Sequence, residues 1–145
     1  MNYYLFDDKL IIDNVKYREI GTDVAIKLLE LKNQIKILHW QTTKYSEHKT
    51  LDKLFELLSE KNDRWVETFM GKYGRILLSA KGDTLELKNM KNDHGSTIIY
   101  LKDSVECLRL LRDKYFNKSE DSDLSNIFDE IFSDLNRACY LLTLD

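Results

Sequence analysis

Two pairs of side chains that could bind a metal ion lie on one predicted helix. His48 and Asp52 are four residues apart, as are Asp63 and Glu67. Residues i and i+4 face the same way on a helix, so each pair can present two donor groups to one ion. Imidazole and carboxylate groups suit iron, manganese and zinc, so the ligand types leave the choice among these metals open.

The two pairs are too far apart to share an ion within one helix. Eleven positions lead from Asp52 to Asp63, a rise of about 16 Å along a helix axis. Each pair is therefore half a site. If two copies of the helix cross antiparallel about a two-fold axis near Leu57 and Leu58, each pair meets the other pair of the partner chain, and the isologous contact makes two equivalent sites.

A third potential ligand precedes this helix. His39 lies near the end of the preceding predicted helix, where it can add a second imidazole to the first half-site. No glutamate is followed three residues later by histidine, so the Glu-x-x-His design of intramolecular di-iron bundles is excluded. The acidic pair also has a simpler interpretation, a solvated helix face beside Lys61 and Arg64.

Apolar periodicity predicts the elements that position these residues. The chain has no proline and only five glycines, and apolar residues recur at three- and four-residue spacing over 22–42, 46–71, 96–116 and 123–142. The links are short except for about two dozen residues, 72–95, between the second and third helices. One long crossover is typical of ferritin-like bundles, so we predict an all-α, ferritin-like four-helix bundle.

Smaller elements are predicted around this bundle. Residues 83–90 can form a short helix within the crossover. Residues 1–20 are apolar enough, with Tyr3, Tyr4 and Phe6, to pack on the bundle or on a neighbouring subunit. Ser96 or Thr97 can cap the third helix.

Composition limits the classes of function. At 145 residues with 43% hydrophobic content, we predict a single domain over 1–145. A net charge of −3 argues against a general nucleic-acid surface. Neither a membrane-spanning run nor a signal peptide is apparent, and Cys107 and Cys139 lie in apolar segments as expected of free thiols. We expect a soluble, cytoplasmic protein.

Five residues match, in type and order, a motif of a known family. They resemble the ferroxidase motif of the Dps proteins (DNA-binding proteins from starved cells, or mini-ferritins): His39, His48, Asp52, Asp63 and Glu67. Residues 123–142 are similar to that family's last helix. The resemblance implies that the first three ligands face the acidic pair of a two-fold-related subunit. It also implies that Trp40 lies beside the site, where it intercepts oxidising equivalents; as a residue alone, Trp40 can equally be a core aromatic.

The resemblance implies an activity and an assembly. Fe²⁺ would be oxidised by hydrogen peroxide or dioxygen and stored as ferric mineral inside a homo-oligomeric shell, usually a dodecamer. Acidic pores would draw the cation in, with Asp121, Asp123 and Asp129 as candidates; a solvated acidic turn that caps the last helix is the alternative.

Two departures from the family pattern stand out. The stretch from Trp40 to His48 is about three residues shorter than the family's loop, which puts the ligation by His39 in doubt. The family's Lys-rich tail is missing, so DNA binding is not expected. A ferritin-like structural or interaction protein without iron chemistry, and a zinc or manganese site without redox function, stay open as alternatives.

Overall fold

The computed structural model describes residues 8–79, 81–90 and 94–144, with side chains described for 16–79, 81–90 and 95–144. Its four α-helices are α1 (Asp8–Gln41), α2 (Tyr45–Tyr73), α3 (His94–Tyr115) and α4 (Ser122–Leu141), with a 3₁₀ turn, Ser119–Asp121, before α4. No strand occurs within these ranges. The predicted all-α four-helix bundle is confirmed.

The connection between α2 and α3 runs along the second half of α1. Near the middle of α1, the Leu77 amide donates a hydrogen bond to Thr22 Oγ1 (3.1 Å). Near its end, the Lys88 amide donates to Gln34 Oε1 (2.8 Å). The third helix therefore begins at the end of the bundle where α1 finishes, which makes this link the single long crossover of ferritin-like connectivity.

The predicted short helix in the crossover is wrong. Residues 82–90 have no helical structure. The amide of Glu86 donates to the Glu30 carboxylate (2.8 Å), and the Gln34 amide group donates in return to the Lys88 carbonyl (2.8 Å). Side chains of α1 thus take up the backbone groups that a helix would have paired internally.

The helix ends differ from the prediction at several positions. The first helix begins at Asp8 rather than residue 22 and continues through Gly21, where a Cβ atom would lie 2.1 Å from the Phe69 ring. The second helix passes Gly71 and ends before Gly74, whose φ of 96° suits glycine. Because α3 begins at His94, Ser96 and Thr97 lie inside the helix and do not cap it.

The predicted packing of the N-terminal segment falls mostly outside the described residues. Residues 1–7, which include Tyr3, Tyr4 and Phe6, and the side chains of 8–15 are not among them. Within the described part of 1–20, Tyr17 and Ile20 pack against the bundle core.

An aromatic cluster joins α2 to α4 at the centre of the core. Trp65 is fully buried; its ring stacks on Phe69 (5.4 Å between centroids) and meets Phe116 and Phe128 edge-on. Burial of one such ring stabilises the fold by about 1.5–3 kcal/mol. This cluster fixes the inner face of α2, so the opposite flank of that helix is left for other contacts.

Candidate functional site

His39 and His48 hold the end of α1 against the start of α2. Their rings are stacked, with centroids 3.8 Å apart and planes inclined by 20°. Nδ1 of His39 lies 2.8 Å from the His48 carbonyl oxygen, and Nδ1 of His48 lies 2.9 Å from the His39 carbonyl oxygen. A carbonyl only accepts, so both Nδ1 atoms are protonated and donate. The connection of residues 42–44 between the helices is short enough to allow this reciprocal pair.

The reciprocal bonds leave a lone pair on Nε2 of each neutral ring. Metal-binding histidines commonly donate their other ring nitrogen to a backbone carbonyl in this way. His39 Nε2 lies 3.8 Å from Asp52 Oδ1, beyond hydrogen-bond range. Metal–ligand bonds of about 2.1 Å would span that gap with one ion between the two atoms.

The two imidazoles do not converge on one point. The lone pairs lie in the two separate, nearly parallel ring planes, so one ion cannot lie on both without rotation of a ring. His39 and Asp52 are therefore the better placed ligands of this half-site, and His48 orients His39. Among the described residues, no group of three or more His, Cys, Asp or Glu side chains is arranged to hold a metal ion.

A lysine that the sequence analysis missed lies in the same half-site. Lys36 Nζ is 3.8 Å from Asp52 Oδ1 and 4.5 Å from the centroid of the Phe55 ring. Lys36 precedes His39 by three residues and so lies on the same face of α1. The i,i+3 spacing of Lys36 and His39 was the sequence signal that could have identified this lysine. Its ammonium group competes with any metal ion for the Asp52 carboxylate.

The acidic pair stands apart from the histidines. Asp63 and Glu67 are exposed on α2, which runs without a break from Tyr45 to Tyr73. The basic neighbours of this pair form ion pairs with α4 instead. Lys61 pairs with Asp134, and Arg64 pairs with Glu130. Within the described part of the chain, neither Asp63 nor Glu67 has an ion-pair partner. One chain therefore brings together the first three predicted ligands and leaves the last two three turns away.

A sequence model of a family of unknown function (DUF5856) matches residues 39–142. The chain belongs to the DUF5856 family. The matched range includes both half-sites and the three helices α2 to α4. No curated protein and no solved structure matches the chain. The chemistry of this DUF5856 protein is therefore inferred from the geometry of its own residues.

Trp40 is a surface residue of this DUF5856 chain. Its side chain is 66% exposed, so the alternative interpretation as a core aromatic is wrong. It follows His39 in the chain, and Lys36 Nζ lies 5.9 Å from the centroid of its ring. Trp40 thus lies at the edge of the first half-site and in contact with solvent.

The predicted acidic turn before α4 is paired within the chain. Asp121 is fully buried, accepts a hydrogen bond from the Tyr73 hydroxyl, and lies 3.3 Å from Lys72 Nζ. Asp123 lies 2.9 Å from the same ammonium group. Asp129 pairs with Arg112.

Neither prediction for Asp121 agrees with this arrangement. A fully buried carboxylate can neither line an aqueous pore nor form a solvated turn, and its side chain makes no cap bond to α4. Burial, together with the bond to Asp121, raises the pKa of Tyr73. Although desolvation opposes it, the bonds to Asp123 and Asp121 raise the pKa of Lys72. The turn is thus a structural link between the end of α2 and the start of α4.

The remaining predictions concern the thiols and the membrane. Cys107 and Cys139 are both free, as predicted, and burial raises the pKa of the Cys139 thiol. No helix in the described ranges has the length and apolar character needed to cross a membrane.

Proposed function

We propose that this protein binds Fe²⁺ at a site shared between two subunits and oxidises it, as a ferroxidase and iron-storage protein of the Dps type. Iron is the substrate of this reaction. The observation that carries the proposal is the orientation of the two histidines, whose Nδ1 atoms are occupied by carbonyls while His39 Nε2 lies beside the Asp52 carboxylate. Asp63 and Glu67, exposed on α2 and without an ion-pair partner among the described side chains, would supply the complementary half.

Each group has a defined role in this scheme. His39 and Asp52 of one subunit bind the cation, and His48 positions His39 or adds its own Nε2 after a ring rotation. Asp63 and Glu67 of the partner subunit add two hard anionic oxygens, which favour the more highly charged ferric ion. Each Fe²⁺ gives up one electron, so two ions and two protons reduce one hydrogen peroxide to two waters.

The proposal is tested by removing charge from the acidic pair at nearly constant shape. We expect Asp63→Asn with Glu67→Gln to slow peroxide-dependent Fe²⁺ oxidation by about tenfold or more, because even outer-shell partners of metal ligands are worth 10- to 100-fold. Asp103→Asn with Glu106→Gln is the matched control, since it removes one exposed Asp and one exposed Glu from α3. Equal rates for the two double variants would overturn the proposal.

Assembly provides an independent test. A shared site requires at least a dimer, so light scattering should give a mass of at least twice 17.2 kDa. A dodecamer would add a storage shell, whereas a stable dimer would keep the site without one. A monomer at micromolar concentration would exclude the shared site.

A second candidate function is a structural or interaction bundle without iron chemistry. It is favoured by the hydrogen bonds between the histidines and by Lys36 beside Asp52, which account for these residues without any metal. This candidate predicts a dimer that oxidises Fe²⁺ no faster than buffer. A zinc or manganese site would instead show metal binding by calorimetry with no oxidation.

A further inference from the structure

A basic pocket lies where the first part of α1 meets the end of α3 and the turn before α4. It has a volume of about 430 Å³, and beside Ile20 it is lined by Lys16, Tyr17, Lys114, Tyr115, Asn117 and Lys118. Tyr17 and His39 are 22 positions apart on α1, which separates the pocket from the histidine pair by about 33 Å. It is therefore distinct from the candidate metal centre and plays no part in the proposed iron chemistry.

The charge of this pocket is opposite to that of the chain. Among the described side chains, three ammonium groups line it and no carboxylate does, although Glu120 acts on Lys118 from nearby and the whole protein carries a net charge of −3. Among the described side chains, Lys16, Lys114 and Lys118 form no ion pair with an acid. Like charges gathered in a concave site repel one another and attract an anion, because the low-dielectric walls focus their field.

Two tyrosine rings give the pocket planar walls. Tyr17 stacks on Tyr73, with centroids 4.7 Å apart and planes inclined by 5°, and the Tyr73 hydroxyl donates to the buried Asp121 carboxylate. This stacking contact fixes the orientation of the Tyr17 ring. Lys114 Nζ lies 5.0 Å from the centroid of the Tyr115 ring, which places an ammonium group beside an aromatic face.

Contact with Tyr17, followed by the negative charge of Glu120, raises the pKa of the Lys118 ammonium group. Ammonium groups and aromatic rings thus line the same cavity.

We propose that the basic pocket binds a small phosphorylated ligand that carries a planar ring, of the nucleotide class. Lysine ammonium groups bind phosphate as point charges, and aromatic side chains bind bases by stacking. The Asn117 amide can donate and accept hydrogen bonds at a ring edge. The volume lies within the range of small-molecule sites.

The proposal is tested by calorimetric titration of the full-length chain with ADP, pyrophosphate and adenosine, without divalent metal. ADP makes both kinds of contact, so we expect it to bind about tenfold more tightly, or better, than either of the other two. Lys114→Gln with Lys118→Gln should weaken ADP and pyrophosphate and leave adenosine unchanged. Tyr115→Leu should weaken ADP and adenosine and leave pyrophosphate unchanged.

Lys53→Gln with Lys102→Gln is the matched control, because both lysines are exposed elsewhere on the bundle and the net charge changes equally. Circular dichroism checks that every variant remains helical. Equal weakening by the control and pocket variants would assign ADP binding to general surface charge and overturn the proposal. Adenosine binding as tight as that of ADP, or no ADP binding at all, would overturn it as well.

Discussion

The two half-sites are built in opposite ways. The first is assembled within the chain, since His39 is only 7% exposed and is fixed by reciprocal hydrogen bonds to His48. The second, Asp63 with Glu67, is exposed and has no ion-pair partner among the described residues. The first half-site contributes to the stability of the fold and could in addition bind a ligand. The second can acquire a role only when another molecule covers it.

The two half-sites should therefore differ in what a substitution changes. Substitutions in the first half-site should change both folding and metal binding, and substitutions in the second should change only what depends on a partner. If the acidic pair meets the histidines of another subunit, the two halves must also complement each other between chains.

Complementation between chains has the largest expected effect. One variant lacks the first half-site (His48→Ala, Asp52→Ala) and a second lacks the other (Asp63→Ala, Glu67→Ala). Each homodimer has two defective sites, whereas a mixed dimer has one intact site and one doubly damaged site. Co-assembly should therefore restore Fe²⁺ oxidation from near background to about half of the wild-type rate per mixed dimer.

Differently tagged chains, purified through both tags, verify that mixed dimers are present. If such dimers oxidise iron no faster than the separate variants, the site is not shared. Activity of either variant alone at the wild-type rate would instead place the oxidation elsewhere.

Stability should distinguish the half-sites next. His39→Ala removes a buried ring and its hydrogen bond to the His48 carbonyl, so we expect it to lower the free energy of unfolding by about 1–3 kcal/mol. Asp63→Ala removes an exposed, unpaired carboxylate and should change it by less than about 0.5 kcal/mol. Urea unfolding followed by circular dichroism measures both. Equal losses would mean that the acidic pair is also part of the fold.

Lys36 offers a smaller adjustment to the first half-site. Its ammonium group lies 3.8 Å from Asp52, so Lys36→Met should raise the affinity for Fe²⁺ by at most about fivefold, because partly exposed ion pairs are worth about 1 kcal/mol or less. Anaerobic calorimetry measures the affinity. Lys32→Met is the matched control, since Lys32 also contacts the Phe55 ring (5.5 Å). Equal affinities would show that Lys36 does not compete with the metal.

The helices and the crossover could be predicted because they depend on local periodicity and on loop length. The ends of the helices could not, because they depend on remote contacts. Gly21 is a break in the sequence pattern but an interior helix residue in the fold, where Phe69 fills the space beside it. The crossover lost its predicted helix for a similar reason, since its amides bind Glu30 and Gln34.

The candidate site shows the same division. The proximity of His39 to Asp52 was predictable from helix spacing and a short loop, but the choice of ring nitrogen was not, because it depends on which carbonyl each Nδ1 reaches. The burial of Asp121 was unpredictable as well, because its partners Lys72 and Tyr73 lie at the end of another helix.

Substitution of Trp40 should have the smallest effect on the rate of Fe²⁺ oxidation. Its fluorescence gives the most local readout of the first half-site. The chain has two tryptophans, and their surroundings differ: Trp65 is fully buried, whereas Trp40 is 66% exposed and follows His39 directly. Fe²⁺ at the first half-site should therefore quench the red-shifted emission of Trp40 and leave the emission of Trp65 unchanged. Trp40→Phe should abolish this quenching and change the oxidation rate by less than about twofold, because the indole is not a metal ligand.

A variant in which Trp65 is replaced and Trp40 is kept is unsuitable, because Trp65 anchors the core. The control is the variant with Asp63→Ala and Glu67→Ala, in which the tryptophan and the first half-site are intact. If quenching persists in that variant, though weaker than in the wild type, the first half-site binds iron without its partner. The acidic pair would then be needed for the oxidation of iron and not for its binding. Quenching that survives His48→Ala with Asp52→Ala would place the iron away from the histidines, and the contrast between the two half-sites would then have no bearing on iron.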